Sequence, residues 1–158
     1  KPHLYTWVIW TPLTFMAFFS QIADNAGAGA WTTGVTAMLC LIILALSVKY
    51  GTKDITKSDK VMLAGVIAAG ALFLVVRNAL LSIILVTFID VAAFYPTIRK
   101  SIKKPYEETL STHNLAALKH FISLFALEKV SVITALYPSA VFVANLILVA
   151  VMIKGRRK

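Results

Sequence analysis

The stretch DVAAFYPTIRKSIKK, residues 90–104, sets an acid inside an apolar run, places Pro96 near the end of that run, and follows it with Arg99, Lys100, Lys103 and Lys104. In a chain that is 59% hydrophobic, this predicts a membrane helix with a buried carboxyl, a weakened end and a cytoplasmic anchor. A soluble domain of 158 residues keeps much of its surface wet and cannot hide so much apolar side chain. The net charge is +9, but the basic residues cluster between apolar runs. That is the anchoring pattern of membrane proteins and not a nucleic-acid surface. Cys40 is the single cysteine, which excludes an intrachain disulfide and a cysteine-built metal site.

Working outward, a spanning helix needs about 20 mostly apolar residues. Six segments meet that demand: Leu4–Ala23, Trp31–Val48, Val61–Val76, Leu80–Ile98, Leu110–Leu127 and Val130–Ile153. The turn DNAGAGA joins the first two, and the polar linker KYGTKDITKSDK precedes the third, with Ser58 as its expected N-cap. Residues 61–97 form one apolar stretch broken only by Arg77-Asn78. As a single helix it would reach on the order of 50 Å against a hydrocarbon core of about 30 Å, so a hairpin at Arg77-Asn78 is expected. Thr109 or Ser111 is the expected cap of the fifth helix.

Charge tests this layout. With alternate loops on opposite faces, one face receives Lys1, Lys49, Lys53, Lys57, Lys60, the cluster of residues 99–104 and the terminal KGRRK; the other receives only Arg77 and Lys129. Positive charge marks the cytoplasmic side. The expectation is a multi-pass protein of the bacterial inner (plasma) membrane with both ends of the chain cytoplasmic.

The chain also repeats itself. Lys1-Pro2 matches Lys104-Pro105 and Thr6 matches Thr109; one register later, Asp24 matches Glu128 and Gly51 matches Gly155. Copies separated by an even number of helices share one orientation, giving a parallel repeat. The second copy is preceded by the helix of Asp90 and Pro96, and the first copy has no such helix. The expected fold is therefore an all-α membrane protein with six transmembrane helices present and seven in full, arranged 3+1+3, the first helix lying upstream of Lys1. Residues 1–51 would hold helices two and three of the first repeat, 52–78 a linker helix, and 79–158 the second three-helix repeat and a basic cytoplasmic tail.

With KPHLYTWVIW at the start and IDVAAFYPTIRKSIKKPYEE in the middle, the chain resembles the PQ-loop/SWEET superfamily, and within it a group of small bacterial multi-pass inner-membrane proteins. Where that superfamily carries Pro-Gln, this chain has Pro96-Thr97. The resemblance implies a central cavity with alternating access, a hinge at the proline, and an Asn on the last helix of a repeat facing the solute. Asn145 stands at that position; the first half has Cys40 or Leu41 there.

Polar groups at membrane depth face a cavity or a partner. Asp90 reads as a proton or cation site, as a hydrogen-bond partner for solute, or as a packing group paired with His113, Lys119 or His120. The fifth segment is the least lipid-like. His113, Ala116, His120 and Ser123 form one stripe, flanked by Asn114 and Lys119, and that stripe reads as a cavity wall or as interhelical hydrogen bonding, with Lys119 lining the wall or snorkelling outward. His113 and His120 are two turns apart, about 10 Å, and cannot share one ion unaided, so no metal or cofactor is expected. Trp7 and Trp31 are expected interface anchors, whereas Trp10, aligned with His113, is a cavity candidate. Pro12, Pro96 and Pro138 are candidate hinges, with Gly34 aligned to Pro138.

No catalytic constellation is present: no Ser-His-acid spacing, no phosphate-binding glycine loop, no HExxH. The expected function is a transporter moving a small polar solute by alternating access, by facilitated or proton-linked movement. Substrate contacts would come from Trp10, Asp90, His113, Asn114, His120 and Asn145, and the partners would be the lipid bilayer, the solute and a second copy of the chain as a possible homo-oligomer. The alternative is a membrane scaffold or assembly subunit whose polar residues only lock helices together.

Overall fold

Each apolar run between charged linkers folds into one helix. The computed structural model describes residues 4–51, 57–76, 78–106 and 108–157, apart from the side chains of residues 58, 59, 73, 76, 96 and 100. Six helices follow in order: α1 (Leu4–Ala23), α2 (Ala30–Tyr50), α3 (Lys57–Val76), α4 (Ala79–Lys103), α5 (Leu110–Phe125) and α6 (Val132–Arg156). Among the described residues there is no strand. Each expected segment corresponds to a helix; α1 keeps its expected bounds and the others differ by a few residues. α3 already begins at Lys57, so Ser58 lies inside the helix and is not its cap. Arg77 is outside the described residues, but the break is where the sequence placed it: Asn78 precedes α4, and its Oδ1 accepts from the Leu81 amide at 3.0 Å. Thr109 is the N-cap residue of α5 without a side-chain capping bond, whereas Ser131 and Thr134 cap α6 reciprocally.

Among the described residues, three helical segments are long and apolar enough to cross a bilayer: α2 with its preceding turn (Gly27–Tyr50), α4 and α6, the mark of a membrane protein. α1 and α5 fall short for visible reasons. α1 dilutes its apolar residues with Thr11, Thr14, Ser20 and Gln21, all buried. α5 has 16 residues and carries two histidines and a lysine. Within α3 the stretch Lys60–Leu72 is apolar as well. Polarity is distributed as a bilayer requires. Val35, Met38, Ile42 and Leu46 on α2 and Val61, Ile67 and Val75 on α3 face outward, a larger uncovered apolar surface than a soluble monomer carries.

The core runs through Leu13, Ile83, Val86, Leu148 and Met152, wholly buried residues from α1, α4 and α6. α6 packs against both α4 and α5, and α1 packs mainly against α2 and also touches α3 and α4. Close approaches occur where side chains are smallest. A Cβ on Gly34 would stand 2.7 Å from the Phe18 ring, so Gly34 lets α2 lie tight on α1.

Two tie-points fix the ends. At the basic end, the Arg156 guanidinium donates to Pro105 O (2.9 Å) and Glu108 O (2.8 Å) and lies over the Tyr106 ring, fastening the end of α6 to the α4–α5 loop. At the other end the two short turns grip one another. Asn25 (φ 59°) and Gly27 (φ 63°) take left-handed backbone, and the Glu128 amide donates to Ala26 O at 3.1 Å. Asp24 pairs with Lys129 at 2.6 Å and accepts a hydrogen bond from the Ser131 hydroxyl. Any side chain at Gly27 would collide with Glu128.

Candidate functional site

α1, α2, α4, α5 and α6 enclose a cavity of about 320 Å³. α5 turns one face toward it. Thr112, His113, Ala116, Lys119 and His120 recur at helical spacing and all line the space. The cavity begins near Trp7 and the first turn of α5, both at the basic end, and reaches inward as far as His120 and Tyr137. Beyond that depth the bundle is filled. Ala17, Ser20, Gln21 and Thr134 are buried, and Gln21 Nε2 donates to Thr134 O at 3.1 Å.

On α4, Asp90 is buried and faces the cavity. Asp90 interacts with the Tyr137 hydroxyl of α6, and the same hydroxyl interacts with Thr14 of α1. Thr14 in turn donates to Trp10 O at 2.7 Å and lies 4.0 Å from Cys40 Sγ. A polar chain thus crosses four helices, α4, α6, α1 and α2, at the height where Pro138 leaves α6 without one backbone donor.

The Asn145 amide is oriented by its own helix. Nδ2 donates to Val141 O at 2.8 Å, which turns Oδ1 toward His113 Nδ1 at 2.9 Å. An amide oxygen only accepts, so His113 Nδ1 carries a proton and donates it to Asn145. One turn pair deeper, His120 lies edge-on to Tyr137 with ring centroids 6.2 Å apart, and its Nδ1 is buried without a partner. Lys119 turns inward, donating from Nζ to Thr36 Oγ1 at 2.6 Å. Trp10 and Trp7 form the aromatic side, edge to face at 5.7 Å, with Trp10 stacked near Phe94.

Of the residues singled out in the sequence, Trp10, Asp90, His113, His120 and Asn145 come together around this cavity. Asn114 does not; it is exposed, and the cavity is lined without it. Trp7, expected as an interface anchor, lines the cavity as well. The partner of Asp90 is Tyr137 and not His113, Lys119 or His120. Lys119 lines the cavity and does not snorkel outward. Pro12 and Pro138 sit within helices that continue past them, and the Pro96 side chain is outside the described residues. Tyr137 and Thr36 were missed by sequence reasoning. Tyr137 carried one usable signal, a hydroxyl next to a helix-breaking proline inside an otherwise apolar helix.

Among the described residues no group of three or more His, Cys, Asp or Glu side chains is placed to hold a metal ion. No protein-family model, curated protein or solved structure matches the chain.

Proposed function

We propose that this protein moves a small polar solute across a membrane by alternating access, with six membrane-crossing helices and both ends of the chain on the cytoplasmic side. The observation that carries the proposal is the convergence of Asp90, His113, Lys119, His120 and Asn145, from three helices, on one cavity walled by Trp7 and Trp10. Polar groups this costly at membrane depth are kept where they meet water or a solute. The open mouth at the basic end and the closed turns at the other correspond to a cytoplasm-facing state. PQ-loop/SWEET-like kinship is part of this proposal and agrees with the order of packing in the second half, where α6 lies between α4 and α5.

A scaffold reading is favoured by one feature: Asp90, Asn145 and Lys119 each already have a partner within the protein. Asp90→Asn separates the two. The amide keeps an acceptor for Tyr137 but cannot gain or lose a proton. In proteoliposomes with an imposed pH gradient, transport predicts that solute uptake loses its pH dependence in Asp90→Asn while the protein still folds. No uptake of any solute by the wild-type chain, with stability alone changed in the variant, would leave only the scaffold.

A further inference from the structure

Lys119 has an uncommon position. Its ammonium projects from the polar face of α5 into the cavity, and its only described partner is the neutral Thr36 hydroxyl. Among the described residues no carboxylate stands within ion-pair distance of it. Asp90 lines the same cavity but is held by Tyr137. A cation in a low-dielectric site without a counter-charge is costly, and the cost falls when an anion enters. Thr36 uses its own proton on Thr32 O (2.7 Å), so its oxygen is fixed as an acceptor and holds the ammonium in place. Two of the three Nζ–H donors remain for a ligand.

A second, independent feature points the same way. His120, the next residue on α5, is 3% exposed and lines the cavity with an unpartnered Nδ1. A buried ring nitrogen without a partner is costly unless a ligand supplies the bond. The facing wall is apolar, made by Leu39, Ile43 and Trp10.

We infer that Lys119 anchors the carboxylate of a small organic monoanion, with the His120 imidazole hydrogen-bonding beside it and the carbon body of the ligand against Trp10 and Ile43. One ammonium matches one negative charge, whereas inorganic phosphate would leave the apolar wall unused. The inference rests on the solute-cavity proposal above and names the chemical class of the solute.

The test uses the full chain in lipid nanodiscs and three probes of one shape: benzoate, benzamide and benzylamine. Calorimetric titration is expected to show benzoate binding about tenfold or more tighter than benzamide, the scale of one charge-assisted hydrogen bond, with benzylamine weaker than both. The preference falls to about onefold in Lys119→Gln and survives in Lys119→Arg. Thr36→Asp provides a second route that keeps the ammonium paired: an internal counter-ion replaces the ligand, and the preference for benzoate disappears. Equal binding of benzamide, no binding of any probe, or a preference that survives both Lys119→Gln and Thr36→Asp overturns the inference. Counterflow of radiolabelled benzoate keeps the two proposals apart. Lys119-dependent binding without flux removes transport and leaves the anion site. Flux of a neutral solute that is sensitive to Asp90→Asn and indifferent to Lys119 leaves transport and removes the anion site.

Discussion

Tyr137 and Asp90 form a buried pair whose members are unequal. Tyr137→Phe leaves the Asp90 carboxyl without its described partner, and removing one side of a buried hydrogen bond costs about 1–3 kcal/mol. Asp90→Asn retains an acceptor and costs less. Thermal melting in detergent should therefore rank wild type above Asp90→Asn above Tyr137→Phe, and the reverse order of the two variants would refute the pairing. Asp90 was legible in the sequence because an acid in an apolar run has few innocent explanations. Tyr137 was not, because partners for an acid were sought among charged groups and a hydroxyl serves as well. Outside the helical spans, Asp24 is held below the ordinary carboxyl value of 3.8, first by its hydrogen bond from Lys129 and then by that from Ser131. Its folded value is depressed, so its contribution to stability is present above the unfolded value and lost as pH falls through the lower, folded one. Between about pH 5 and pH 3 the melting temperature of the wild type should drop further than that of Asp24→Asn; parallel curves would show that the pair contributes nothing.

The six helices were visible in the sequence because apolar runs and charged linkers alternate at bilayer length. Their ends were less visible. α6 begins two residues after its hydropathy boundary at Val130, at a capping box in which Thr134 replaces the usual Glu or Gln at the third helical position. α4 runs on to Lys103 because Arg99 and Lys103 keep a helix going outside the apolar zone, where hydropathy no longer marks it. Which helix touches which was not legible at all, since packing depends on small side chains meeting across distance. Gly34 illustrates this. Its alignment with Pro138 suggested a flexible point, yet α2 is continuous there and the glycine makes room for Phe18. Gly34→Ala should lower stability by about 1–3 kcal/mol through overpacking, and adding Phe18→Leu should recover most of the loss. No loss on melting, or no recovery, would return Gly34 to a hinge role.

At the scale of the molecule, the repeat aligned Asp24 with Glu128 by sequence, and the structure brings the turns that hold them into contact: Asp24 to Lys129 and Ser131, Ala26 to Glu128. Under the proposed alternating-access cycle, closing the cavity at the basic end and opening it at the other requires these turns to part. In a Cys40→Ser background, Asp24→Cys with Ser131→Cys joined by a short bis-methanethiosulfonate should stop flux, and a reductant should restore it. Undiminished flux in the linked protein would show that the turns do not separate during turnover. The tightness of this grip has a practical consequence for anyone measuring the protein. Because Lys129 and Ser131 hold Asp24 below the ordinary carboxyl value, the fastening between these turns does not respond to proton concentration across the physiological range. A pH optimum found there would report on the chamber and its occupants, and not on the latch.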